Sequence, residues 1–180
     1  MKNERVVTAM ELTWKQPKFG ADHFKLFSGS VLVGEIYWKK WLSDQAIALY
    51  GQYKWILNRD GCLRQRVVAR DYESGRQVSS FEIGWMYEGD ILFASGRTYH
   101  WFRRKAFREV WAISDQEENL VFEIQFGRHW FKQEAIVTLA GSKTADDVGL
   151  LICLAFYLGY CASQDAAAAV AATAAVAAVM

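Results

Sequence analysis

A chain of 180 residues, 52% hydrophobic and 15% aromatic with eight Trp, has the size of one globular domain with or without a tail. That ring content excludes a disordered polypeptide, and 21 basic against 20 acidic residues lack the excess of a dedicated nucleic-acid binder, so no nucleic-acid partner is expected. Cys62, Cys153 and Cys161 have no metal-ligand spacing and Met1–Trp14 has no apolar secretory segment, which predicts reduced thiols in a cytoplasmic protein, free or peripheral at a membrane.

From the start of the chain to Gly141 the pattern is antiparallel β. One Pro, Pro17, and most of the thirteen Gly punctuate short segments rich in aromatic and β-branched residues. Turns are predicted at Ser28–Ser30, Arg59–Gly61, Tyr72–Gly75, Tyr87–Asp90, Ser95–Arg97, Asp115–Asn119 and Gly127–His129, with about a dozen strands between them. In the Arg64–Arg70 strand Arg64, Arg66 and Arg70 share a side, with Val67 and Ala69 opposite and Val68 breaking the polarity of the arginine side. Phe81, Ile83 and Trp85 share one face, with Ser80 and Glu82 on the other; Phe122, Ile124 and Phe126 likewise oppose Glu123 and Gln125. Val67–Ile83 and Val110–Ile124 echo each other as strand, acidic turn and strand ending in Phe-Glu-Ile, a recurring hairpin rather than a solenoid repeat.

After Gly141 the character changes. Ala145–Tyr160 reads as the one convincing helix, with Asp146 and Asp147 in its first turn and Leu150, Leu151, Ile152, Leu154, Phe156, Tyr157 and Leu158 distributed all round its axis. Such a helix must be enclosed by protein or by lipid. Its apolar stretch rises about 22 Å at ~1.5 Å per residue, short of the ~30 Å of hydrocarbon in a bilayer. It matches the roughly 20–26 Å spanned by strands of six to eight residues. The expected fold is therefore mainly β: an antiparallel barrel of about twelve strands over residues 1–162, enclosing the helix, followed by an Ala-rich tail over 163–180 that is helical or disordered. The other reading is a membrane span lengthened by the tail, at the cost of burying Asp165.

Several segments carry a likeness to known proteins: Leu12–Trp14, Lys54–Trp55, Arg64–Asp71 (RQRVVARD), Gly96–Trp101 (GRTYHW), Val110–Ile113 (VWAI), Leu120–Ile124 (LVFEI), Leu150–Tyr157 (LLICLAFY), and Asp165 with the alanine run after it. In these the chain resembles the tubby C-terminal-like superfamily, which includes tubby, the phospholipid scramblases and the LURP-one-related proteins, and is most similar to small bacterial members. The resemblance spans about Leu12 to Tyr160 and implies a barrel plugged by a C-terminal helix. It carries no catalytic signature, and neither tubby's phosphoinositide motif nor the scramblase calcium segment is recognisable, so those activities are analogies of fold.

Catalytic motifs are absent: there is no Gly-x-Ser-x-Gly, His-Glu-x-x-His, Cys-x-x-Cys or Gly-x-Gly-x-x-Gly. Gly141–Thr144 (GSKT) departs from a phosphate loop, lacking the upstream Gly, and reads as a polar loop before a helix. Asp115, Glu117, Glu118 and Asn119 offer calcium-type oxygens, but Leu120 stands where an EF-hand needs Gly, so a solvated turn is expected. His23, His100 and His129 are scattered and read as exposed or rim side chains. The most suggestive feature is charge: Arg97, Arg103, Arg104, Lys105 and Arg108 make a run of +5 without an acid, whereas 109–180 holds nine acids and three bases. The run reads as a grip on anionic lipid headgroups, with Phe102 and Phe107 interleaved, or as arginines neutralising the acidic C-terminal third. Function is expected to be non-catalytic, without cofactor or metal: binding of anionic phospholipid or of a protein partner. The alternative is scramblase-like or anchoring insertion through the C-terminal helix.

Overall fold

The computed structural model describes residues 10–177, apart from 19, 21, 39–43, 61–65, 106–108, 130–131 and 141–146. Twelve strands follow in chain order: β1 (Glu11–Lys15), β2 (His23–Ser28), β3 (Val31–Trp38), β4 (Ala46–Tyr50), β5 (Tyr53–Asp60), β6 (Arg66–Asp71), β7 (Gln77–Glu82), β8 (Gly89–Phe93), β9 (Thr98–Lys105), β10 (Val110–Ser114), β11 (Leu120–His129) and β12 (Lys132–Leu139). A short 3-10 turn, Trp85–Tyr87, precedes β8, and one helix, α1 (Val148–Ala177), follows β12. Each strand pairs antiparallel with its neighbours in sequence, and β1 pairs with β12 in the register Trp14↔Ala135, which closes the barrel. Closure leaves no free sheet edge, so the aromatic-rich strands do not template pairing with another chain.

Alternation decides what faces the lumen. Leu12 and Trp14, Phe24 and Leu26, Trp55 and Leu57, Val67 and Ala69, Tyr99 and Trp101, and Phe122 and Ile124 all point into one core. The space inside a twelve-stranded wall is filled by α1, whose Leu150, Leu151, Ile152, Leu154, Phe156 and Leu158 are at most 4% exposed. Ring contacts tie helix to wall: Trp14 lies 4.6 Å and Phe24 4.9 Å from Phe156, and Trp38 lies 4.5 Å from Tyr160. Two helix glycines make this fit possible, because a Cβ at Gly149 would collide with the Tyr50 ring and one at Gly159 with the Phe126 ring.

Three expectations are corrected. The helix is not confined to 145–160: it begins at Val148 and runs unbroken to Ala177, because the alanine run has the highest helix propensity and carries the helix on without packing. Gly127–His129 is not a turn but the end of β11, paired as far as His129↔Lys132. Ser80, expected on the wet face, is buried on the outer side of β7, where Val68 lies beside it in register and is equally covered. The hairpin echo is physical: β6–β7 and β10–β11 each turn on an Asp, Asp71 accepting from Ser74 N–H at 2.8 Å and Asp115 from Glu117 N–H at 2.9 Å. The Ser74 hydroxyl and then its amide hold the Asp71 carboxyl below its ordinary range.

Candidate functional site

The two ends of the barrel are built differently. At the base, where α1 begins, Gly29, Gly51, Gly75 and Gly96 supply the positive φ of tight hairpin turns. Asp147 caps the helix there, its carbonyl accepting from Leu151 N–H at 2.9 Å. Its carboxylate takes Arg97 side-on, Nε to Oδ2 at 2.9 Å and an NH2 to Oδ1 at 3.0 Å, and Tyr99 donates to it at 3.2 Å. Burial first, and then Asp147, pushes the Tyr99 phenol up, so it stays a donor.

At the mouth, where α1 leaves, the same three groups recur. Asp165 accepts from the two terminal guanidinium nitrogens of Arg59, at 3.1 and 2.9 Å, and from the hydroxyl of Tyr87. Burial is the largest single influence and opposes the charge on Arg59, but the Asp165 hydrogen bond together with the surrounding negative groups outweighs it and holds the guanidinium above its ordinary range. The Asp165 that interrupts the apolar sequence is thus a collar fixing how deep the helix sits. Tyr157, one turn below Cys161, donates to the carbonyl of Asp44, and burial pushes its phenol far up.

Beside this collar lies a cleft of about 180 Å³. There β11 outruns β10: the last register pair is Val110↔Gln125, Phe126 N–H still donates to the Glu109 carbonyl at 3.3 Å, and beyond it β11 pairs with β12 alone among the described residues. Arg103 on β9, Glu109 and Trp111 at the start of β10, Phe126 and Glu134 on the extended hairpin, and Tyr160 on α1 line it. Arg103 follows Tyr99 and Trp101 on the inward face of β9, and its guanidinium lies 4.7 Å from the Trp111 ring centroid, which itself stacks on Trp101 at 4.8 Å. The Nε of Arg103 is buried and meets no hydrogen-bond acceptor among the described residues. Burial pushes the Tyr160 phenol up, and the Asp22 charge adds to it.

The five basic residues of the charged run do not form one surface. Arg97 is at the base with Asp147, Arg104 pairs with Glu123 on the outer wall, Arg103 is in the cleft at the mouth, and Lys105 is exposed there. Arg108 lies outside the described residues, as do Phe107, Gly141–Thr144, Cys62 and Arg64. Neutralisation of the acidic third therefore accounts for Arg97 and Arg104. The sequence reading missed Arg59, Tyr87, Glu109, Glu134 and Tyr160; strand parity with Trp101 is the signal that separates Arg103 from Arg104.

The remaining candidates are surface pairs and buried thiols. His100 contacts Asp90 at 2.8 Å and His23 contacts Glu35 at 3.2 Å, both away from the cleft lining. Among the described residues no three His, Cys, Asp or Glu side chains converge to hold a metal ion. Cys153 and Cys161 are buried and free, and burial pushes the Cys161 thiol up to about 11 and Cys153 further, which leaves both unreactive near neutrality. By length and composition α1 qualifies as a membrane span over Val148–Ala174, but 67% of its most apolar stretch is buried. Comparison with protein-family models, with curated proteins and with solved structures finds no match to this chain.

Proposed function

We propose that this is a non-catalytic barrel of the tubby C-terminal-like type that binds phospholipid membranes end-on, with its mouth toward the lipid. One observation carries the reading: beyond Asp165 the helix continues outside the barrel with no charged residue. Residues 166–174 are exposed, Val170 by 70%. The one polar side chain there, Thr173, donates its hydroxyl back to the Ala169 carbonyl at 2.9 Å, so no polar side chain is left needing water. Residues 166–177 rise about 18 Å at ~1.5 Å each, close to one leaflet of a ~30 Å hydrocarbon core. Lys15 and Lys105 are exposed at the same end, and each basic group near an anionic surface contributes about 1 kcal/mol.

Full insertion of α1 is disfavoured, since withdrawing Val148–Leu158 would leave Trp14, Phe24, Leu26 and Trp101 lining an empty lumen. The test is flotation with vesicles containing anionic lipid. The full chain is expected to float, with partial loss in high salt, and Val170→Glu with Thr173→Glu to stay behind while remaining folded. A full chain that ignores vesicles of every composition defeats the lipid reading in favour of a protein partner.

A further inference from the structure

We infer that the β7–β8 loop at the mouth is a second membrane contact, placing Met86 in the interface of an anionic bilayer beside the emerging helix. Met86 (φ 61°, ψ 23°) and Tyr87 (φ 66°) are successive non-glycine residues in the left-handed region, which residues with a Cβ rarely adopt. Their loop is tied on both sides. Tyr87 N–H donates to the Gly84 carbonyl at 3.2 Å, the Tyr87 hydroxyl donates to Asp165, and the Glu88 carboxylate accepts from Arg103 N–H at 3.1 Å. A Cβ at Gly84 would come within 2.5 Å of the Glu88 carbonyl oxygen, so the turn closes tightly. Amid these ties Met86 is 58% exposed, an unbranched, adaptable apolar side chain. Strain of this kind persists where the surroundings over-determine it, and its result is an apolar side chain presented outward on a backbone that is already ordered.

Position tells what covers Met86. The Tyr87–Asp165 bond sets the loop against α1 at the last charged residue of the helix, where the exposed uncharged stretch begins. The sequence sorts the two ends in the same sense. Every connection between strands at the mouth contains a Phe, Trp, Leu or Met, in order Phe19, Trp41, Leu63, Met86, Phe107 and Trp130. The connections at the base, 29–30, 51–52, 72–76, 94–97, 115–119 and 140–147, contain no Phe, Trp, Leu, Ile or Met. They hold six acids and three bases, against four acids and five bases at the mouth, so an anionic surface is repelled at the base. Val31 and Tyr53 are as exposed as Met86, but they stand at the end with the acidic excess. Of the six apolar residues named at the mouth Met86 alone lies among the described residues, and the contact is assigned to its loop alone. This rests on the end-on membrane reading and deepens it: helix and loop together fix the tilt of the barrel, which a single helix would leave free.

The test uses the full chain with carbon-13 methionine methyls on nanodiscs of phosphatidylglycerol and phosphatidylcholine that carry a nitroxide on the acyl chain near the headgroup. The chain has four Met, and Met86→Leu and Met10→Leu assign two of the signals. The Met86 signal is expected to broaden and that of Met10, which lies at the base beside Leu139, to persist. Met86→Asp should weaken binding to the same nanodiscs on the order of tenfold, and Val31→Asp at the base should leave it unchanged. Asp enters the left-handed region more readily than Met, so Met86→Asp should keep its urea midpoint, and lost binding then reports the contact and not the fold. The proposal is overturned if the bound chain keeps a Met86 signal as sharp as that of Met10, or if Met86→Asp binds as tightly as the unaltered chain; either result leaves α1 as the contact and the membrane reading standing. A full chain that binds neither these nor wholly anionic nanodiscs overturns both.

Discussion

The base and the mouth hold the same helix with the same three groups, an Asp on the helix with an Arg and a Tyr from the wall, yet the burial is reversed. At the base the acid is hidden, Asp147 being 12% exposed, and Arg97 is 44% exposed; at the mouth Arg59 is 9% exposed and Asp165 46%. The difference follows from where each Asp sits. Asp147 is the cap of α1, where the helix dipole favours a buried negative charge. Asp165 stands in mid-helix on the part that emerges, so the wall must send an inward-facing Arg up to meet it. One end terminates the helix; the other lets it pass.

The largest effect should come from breaking both ends at once. Leu154, 1% exposed, lies midway along the enclosed part of α1. Leu154→Asp places an unpaired charge in the lumen, a cost of several kcal/mol that is on the order of the whole stability of a domain. Insoluble expression is the expected outcome. A soluble protein with an unchanged urea midpoint would mean that the helix does not plug the barrel in solution.

The latches give the next effect and an inverted rule. Removing the exposed partner takes the opposite charge away from the buried one, so Arg97→Ala at the base and Asp165→Ala at the mouth should each cost roughly 2–4 kcal/mol in urea unfolding. Removing the buried partner leaves a charge that water can solvate, so Asp147→Asn and Arg59→Met should cost roughly 1 kcal/mol. Equal losses from all four would show that the burial asymmetry has no energetic weight.

How much of this was legible follows from which contacts are local. Alternation in Phe122–Phe126 and an apolar belt on every side of Leu150–Leu158 are properties of neighbouring residues, so the barrel and its plug could be read from them. Asp165 was visible as an interruption, but its partner Arg59 is 106 residues away and nothing in either segment announces the other. The basic run misled because charge was summed along a strand whose residues alternate: Arg103 turns inward with Trp101, Arg104 outward to Glu123. The cleft was invisible for a further reason, since it lies where β11 outruns β10, which shows only once the intervening register is known.

Alkali should act on the plug gently and from the mouth downward. Burial raises the Cys161 thiol from an ordinary 9.0 to about 11 in the folded protein, and the Arg59 charge only partly offsets it. A proton held more tightly in the folded state means that the stability linked to it is fully present below pH 9 and is lost as pH rises to about 11. Two pH units correspond to roughly 3 kcal/mol for one group. Cys153, buried deeper on the same helix, is also raised and contributes over the same window. Cys161→Ala should therefore remove about half of the thiol-linked slope of unfolding free energy between pH 9 and 11, while leaving stability at pH 7 to 8 nearly unchanged. An unaltered slope would place Cys161 in contact with water and the mouth in a looser state than the collar of Arg59, Tyr87 and Asp165 describes.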